Sequence, residues 1–274
     1  MSRIAPEREV VRVTVGQSPR PSRDTVAGEE PLEIRVNGRS LAVTMRTPGS
    51  DFDLAAGFLV SEGVVCATKD IVTMRYCSGS GSPVNEYNVV DVTLAGDVAP
   101  PSEAVARAFF TSSSCGLCGK ASIDAVRTRS SFDIHEDPLR VKPSVLADLP
   151  ARLRAAQDVF DKTGGLHAAA LFDAQSGDLL VVREDVGRHN AVDKVVGWAF
   201  REARLPLRGA ILMVSGRASF ELVQKAYMSG VPVLCAVSAP SSLAIDLAKE
   251  AGMTLVGFLR DPSMVVYAGP ERLC

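Results

Sequence analysis

Two cysteines, Cys115 and Cys118, stand three positions apart in the stretch Ser112-Ser113-Ser114-Cys115-Gly116-Leu117-Cys118-Gly119-Lys120. Small, polar, Gly-flanked residues expose sulfur. Lys120 and the start of a helix expected over Ala121 to Val126 favour thiolate over thiol, the form that acts as nucleophile or metal ligand. Three chemistries share this spacing: half of a structural zinc site, a dithiol redox pair, and a nucleophilic thiolate. Zinc needs four ligands, and Cys66, Cys77, Cys235, His135, His167 and His189 offer no second knuckle spacing. A thioredoxin-type pair belongs on an N-terminal strand-to-helix turn, whereas here a Ser triplet comes first. A zinc deaminase places His-x-Glu ahead of Pro-Cys-x-x-Cys. No His precedes Cys115 and Ser114 stands in place of Pro, which excludes that chemistry though not a related fold.

A second concentration of chemistry is Arg183-Glu184-Asp185-Val186-Gly187-Arg188-His189-Asn190 with Asp193 and Lys194, where seven of ten residues are ionisable. Two readings stand: a ligand site, and a salt-bridged turn with an ordinary helix cap. His189, at a helix start, suits a proton donor or anion contact as well as a capping partner. A third concentration is positional. Ser215-Gly216-Arg217, Ser238 and Arg260 each follow an expected strand. In open α/β sheets, ligands bind outside the carboxyl ends of the strands. Ser215 to Ala218 also opens a helix, whose free backbone N–H groups together with Arg217 make a seat for phosphate. Neither G-x-G-x-x-G nor a P-loop is present, so an ATP- or NAD-dependent enzyme lacks its fingerprint.

The elements that must position these groups follow from periodicity. The first half reads mostly as strand: Val10 to Val15, then a hairpin of Leu32 to Val36 and Leu41 to Met45 about Asn37-Gly38, a pair that tolerates the positive φ of a tight turn. Ser50 with Asp53 resembles a capping box ahead of a helix reaching Glu62. Strands Ile71 to Tyr76 and Tyr87 to Leu94 form a second hairpin, and Pro101 to Phe110 reads as helix. From Pro143 the pattern alternates. A helix runs over Leu146 to Phe160 and stops at Gly164-Gly165; strands Leu166 to Phe172 and Leu179 to Val182 follow; then come helix Asn190 to Arg201, strand Ala210 to Val214, helix Phe220 to Met228, strand Val231 to Val237, helix Ser241 to Ala251, strand Thr254 to Leu259 and strand Met264 to Tyr267. Such alternation predicts an α/β fold with a mostly parallel sheet covered on both faces.

At about 150 residues per domain, 274 residues make one large domain or two modest ones. The pattern divides the chain into an extension (1–30), a smaller α+β domain (31–142) ending in the cysteine loop, and an α/β domain (143–274). Hydrophobic residues are 46% and charged residues 23%, which argues against disorder, and 30 Lys plus Arg against 32 Asp plus Glu leave a charge of −2, too little field to gather nucleic acid. Met1 to Ala27 lacks the apolar core of a secretory signal, and no run approaches the roughly 20 apolar residues that span a bilayer. A cytoplasmic, reducing location is expected, with no membrane partner. Six cysteines are too few for a disulfide framework in a chain this long.

Taken together, Ser113 to Gly119, Thr163-Gly164-Gly165-Leu166-His167-Ala168-Ala169, Arg183 to Lys194, Ser215-Gly216-Arg217 with Glu221, and Ser238-Ala239-Pro240 resemble the FdhD/NarQ sulfur carriers, accessory proteins of molybdenum formate dehydrogenases. The resemblance spans about Phe52 to Tyr267. It implies a sulfurtransferase that accepts persulfide sulfur from a cysteine desulfurase and passes it to the molybdenum bis(molybdopterin guanine dinucleotide) cofactor bound for apo formate dehydrogenase. It matches Cys115 to the persulfide carrier and Cys118 to its partner. The cofactor-contacting stretch falls on Phe258-Leu259-Arg260-Asp261-Pro262-Ser263. It also implies a three-layer fold of the cytidine-deaminase type with a smaller added domain, and a homodimer. The residues agree in mechanism: sulfur exchange needs an accessible thiolate, and Arg183, Arg188, Arg217 and Arg260 with Ser215, Ser238 and His189 suit phosphate oxygens. Rival readings are a cofactor-binding chaperone that transfers no sulfur and a dithiol redox protein.

Overall fold

The computed structural model describes residues 3–77, 87–100 and 130–274. The Cys115/Cys118 loop and the helices expected on either side of it lie outside these residues. At the start, β1 (Glu7–Arg12) and β2 (Arg20–Thr25) form an antiparallel ribbon. The strand expected over Val10 to Val15 begins and ends earlier, and its alternation does not mark a core face, since Val11 and Val15 are 62% and 101% exposed.

β3 (Glu30–Val36) and β4 (Arg39–Arg46) form the expected hairpin, with Asn37 and Gly38 at φ 50° and 79°. With β5 (Ile71–Tyr76) and β6 (Val89–Leu94) they make a four-stranded sheet in the order β4-β3-β6-β5. Helix α1 (Asp51–Ser61) follows β4. Its start departs from the capping-box expectation: Ser50 takes a left-handed φ of 54° and makes no side-chain cap, and Asp53 is instead drawn to Arg183 and Arg201.

The second sheet has six strands: β7 (His167–Asp173), β8 (Leu179–Asp185), β9 (Ala210–Val214), β10 (Val233–Ala236), β11 (Thr254–Arg260) and β12 (Ser263–Ala268). Their order is β12-β11-β10-β9-β7-β8. β9, β10 and β11, joined by helical crossovers, are parallel neighbours, while the pairings at both flanks are antiparallel. Within this sheet, parallel neighbours are thus confined to strands that helices connect; short loops can only reverse the chain.

Strand alternation sorts side chains to two faces. Ala168, Ala170, Phe172, Ile211, Met213, Val233, Cys235 and Val256 cluster with Leu146, Leu149 and Leu153 of α2 (Pro143–Ala155). Ala169, Leu171, Leu212, Val214, Leu234, Ala236 and Leu255 join the opposite cluster with α4 (Arg188–Arg201), α5 (Phe220–Met228) and α6 (Ser242–Glu250). The result is three layers. The single helix expected over 146–160 is two, because the carboxylate of Glu184 accepts from Val159 N (2.9 Å) and Phe160 N (2.8 Å) and so starts α3 (Asp158–Thr163) afresh.

α1 crosses α4 with almost no separation. A Cβ on Gly57 would lie 1.8 Å from Asp193 O, and one on Gly197 1.7 Å from Asp53 O. Only glycine permits that approach, and it lets Leu32, Ile34, Leu54, Leu59, Val90 and Val92 share one apolar cluster with α4, α5 and α6.

Candidate functional site

β8, β9 and β10 run in one direction, so α4, α5 and α6 all begin beyond their carboxyl ends. There the chain segments following β9, β10 and β11 are stitched side by side. Val237 N donates to Val214 O (3.3 Å), Ala218 N to Ala239 O (3.2 Å) and Phe258 N to Ser238 O (3.2 Å). Ser215, Arg217, Ser238 and Phe258 therefore share one rim. Ser215 Oγ accepts from Ala168 N at 2.9 Å, which ties His167 to the same place; the His167 ring would lie 3.6 Å from a Cβ on Gly216.

The helix starts at this rim differ in one respect. Ser241 caps α6 by accepting from Ala244 N, whereas Gly187 before α4 and Ser219 before α5 make no side-chain cap bond. Uncapped first-turn N–H groups attract anions, and the helix dipoles add positive potential. Among the described residues no hydrogen bond or ion pair engages the guanidinium groups of Arg188, Arg217 or Arg260, and Arg217 and Arg260 are exposed. Phe258 is 41% exposed and holds φ at 48°, a left-handed conformation that costs an aromatic residue energy and is found where geometry serves a site. The rim can gather anionic oxygens beside an aromatic ring.

Of the residues read from sequence, the structure brings together Ser215, Arg217, Ser238 and Phe258, with Arg188 and His189 at the start of α4. Arg260 pairs with Ser263 across the turn through Asp261 and Pro262, all exposed, while Leu259 is fully buried beneath α2. Arg183 is committed elsewhere. Strand alternation puts it on the face covered by α1 and α4, where its Nη2 and Nε lie 2.8 and 3.2 Å from Asp53 Oδ2. Cys115 and Cys118 lie outside the described residues.

Most of the charge in Arg183 to Lys194 is structural. Asp185 is fully buried and pairs with Lys194 at 2.7 Å; Asp193 pairs with Lys225 at 2.8 Å and accepts from Ser61 Oγ at 2.7 Å. Within this segment, and among the described residues, the Arg188 and His189 side chains are left without a direct bond. His189 Nε2 stands 3.9 Å from Glu221 Oε2, a distance over which charges interact but no direct hydrogen bond forms. Burial would raise the Glu221 carboxyl, but His189, the Ser219 hydroxyl and its own backbone N–H outweigh it and hold the group at about 2. His167 is pushed below the usual imidazole range by burial and by the Arg188 and His189 charges, so it stays neutral at neutral pH. Sequence reasoning quoted His167 and Glu221 without assigning them to the rim. The signal was available: His167 opens the strand next to Ser215, and Glu221 falls in the first turn of α5.

A family model described as the FdhD/NarQ family matches residues 27–274. The whole chain is 61% identical to the sulfur carrier protein FdhD of Streptomyces coelicolor, over 97% of that protein. It is 58% identical to the protein of the same name from Mycobacterium tuberculosis, over 91% of this chain and 92% of the relative. In three dimensions it is similar to a crystal structure described as a formate dehydrogenase accessory protein from Desulfotalea psychrophila, with a TM-score of 0.73 and 22% identity over 99% of this chain and 100% of that one. At that identity the likeness speaks for a shared fold.

Proposed function

Since the chain belongs to the FdhD/NarQ family, we propose that it is a sulfur carrier: it accepts persulfide sulfur from a cysteine desulfurase on Cys115 and transfers it to the molybdenum bis(molybdopterin guanine dinucleotide) cofactor required by formate dehydrogenase. What carries this reading is full-length similarity at 61% identity to a protein named sulfur carrier protein FdhD. The donor set at the rim supports it, because it suits a large phosphate-bearing substrate.

In the loading step the Cys115 thiolate attacks the outer sulfur of the donor's persulfide. A new S–S bond forms at Cys115, the donor's S–S bond breaks, and the donor cysteine leaves as thiolate, with no net oxidation. Cys118, three positions on, serves relay or release. The substrate is held by its phosphates at the uncapped start of α4 with Arg188, Arg217 and Arg260, and the Phe258 ring offers a stacking face to guanine or pterin. The protein works as a homodimer in the reducing cytoplasm and hands its product to apo formate dehydrogenase.

Mass spectrometry after incubation with a desulfurase and cysteine tests the loading step. The expected result is a reductant-labile gain of one sulfur atom that disappears in Cys115→Ala, together with loss of formate dehydrogenase activity in a complemented strain. A sulfur gain that survives Cys115→Ala removes that residue from the role. Activity that survives it turns the protein into a chaperone for the cofactor.

A further inference from the structure

Arg188 and His189 reach the rim from a turn that is set from underneath. The Asp185 carboxylate has no exposed surface. Its Oδ1 accepts from Gly187 N (2.8 Å) and Asn190 Nδ2 (3.0 Å); its Oδ2 accepts from Thr47 N (3.1 Å) and pairs with Lys194 Nζ (2.7 Å). All four acceptor positions of the carboxylate are thus used. Lys194 Nζ also donates to Thr47 O (2.8 Å), and Val186 N donates to Thr47 Oγ1 (3.1 Å). Asn190 continues the seam by donating to Met45 O (2.7 Å). A side chain at Gly187 would press on this network, since its Cβ would meet Asn190 Nδ2 at 3.0 Å and Asp185 Oδ1 at 3.4 Å.

Burying a charged pair is not by itself a route to stability, because desolvation offsets the attraction. What this pair does supply is direction. It binds the end of β4 to the turn that aims the first residues of α4 outward, and with Gly187 as N-cap it leaves the first-turn N–H groups unclaimed by any side chain.

We propose that Asp185 and Lys194 are positioning residues for substrate binding: they lock the first turn of α4 to Thr47 and so hold Arg188 and His189 where phosphate is recognised. The inference rests on the substrate-binding reading of the rim given above.

Asp185→Asn tests it. Whichever way the amide is turned, its NH2 faces two donors, so the lock opens while the shape is kept. The readouts are amide hydrogen exchange over residues 186–190, the turn and first residues of α4 that the lock holds, and affinity for guanosine diphosphate in the full-length protein. Asp193→Asn is the control, a similarly buried ion pair eight residues further along the chain. Both variants should lose thermal stability. Only Asp185→Asn should exchange faster over 186–190 and bind guanosine diphosphate about tenfold to a hundredfold more weakly, the cost expected of a small misplacement of recognition groups. Wild-type exchange in Asp185→Asn, or an affinity loss no greater than that of Asp193→Asn, overturns the proposal. If Asp185→Asn does not fold, Thr47→Val decides: it removes only the hydroxyl that holds Val186, and unchanged exchange and affinity overturn the proposal. A wild-type protein that fails to bind guanosine diphosphate overturns the substrate-binding reading instead, and the exchange measurement still decides whether the lock exists.

Discussion

Helix α4 carries two charged regions within two turns, and they are built on opposite terms. Asp193 and Lys194, with Asp185 just before the helix, are buried and saturated with partners. Among the described residues no direct side-chain hydrogen bond engages Arg188 or His189, at the helix start, or Arg217 and Arg260 nearby. A charge that is satisfied inside the protein shapes the chain around it, whereas a charge left at a helix start beside other cations is available to a ligand. The dense ionisable segment is therefore both things that its composition suggested: a salt-bridged scaffold beneath and an anion-seeking edge above.

The largest effect expected from testing this division is on the scaffold. Lys225→Met strips Asp193 of its cation and leaves a carboxylate that is 2% exposed, which should cost about 3–5 kcal/mol in chemical denaturation. A loss under about 1 kcal/mol would mean that water or a rearranged Ser61 satisfies Asp193, and the saturated region would not be a scaffold.

Glu221 sits on the boundary between the two regions, and pH separates its contribution. Its folded value of about 2 lies below the ordinary 4.5, so its stabilisation is present above the ordinary value and fades as pH falls toward the folded one. Glu221→Gln should therefore cost about 2 kcal/mol at pH 7, after discounting for partial exposure, and almost nothing near pH 2. Urea titrations of both proteins across that range check the sign. A pH-independent difference would assign the loss to packing.

The smallest effect has the opposite sign. Phe258→Gly relieves the left-handed backbone and should raise stability by about 1 kcal/mol, while weakening guanosine diphosphate binding through loss of the stacked ring. Calorimetry of melting and of binding on the same sample measures both. A variant that is less stable and binds equally well would place Phe258 with the scaffold.

Much of this fold was legible because it follows from local chemistry. Asn37-Gly38 dictates its hairpin, Gly164 ends α3 at φ 65°, and the alternating runs from Ala210 onward mark strands and helices nearly to the residue. Where local reasoning departed from the structure, a distant partner decided. Ser50 does not cap α1 and Asp53 turns to Arg183 and Arg201; Glu184 divides the expected long helix by capping its second half. Val11, Val13 and Val15 alternate as a core face would, yet all three are exposed, Val11 in the ribbon and Val13 and Val15 in the connection that follows it.

The same distinction governs the site. Residue type and order by themselves determined the family resemblance, the strand-end positions of Ser215, Ser238 and Arg260, and the paired thiols of Cys115 and Cys118, because each depends on neighbours along the chain. Which charges are free could only be decided in three dimensions. Arg183 and Arg188 are the same residue type five positions apart, but one falls on the strand face that meets Asp53 and the other on a helix start where, among the described residues, it pairs with no carboxylate. An ionisable side chain takes its role from the partner that folding delivers to it, and for Arg183 that partner, Asp53, lies 130 residues away in the sequence.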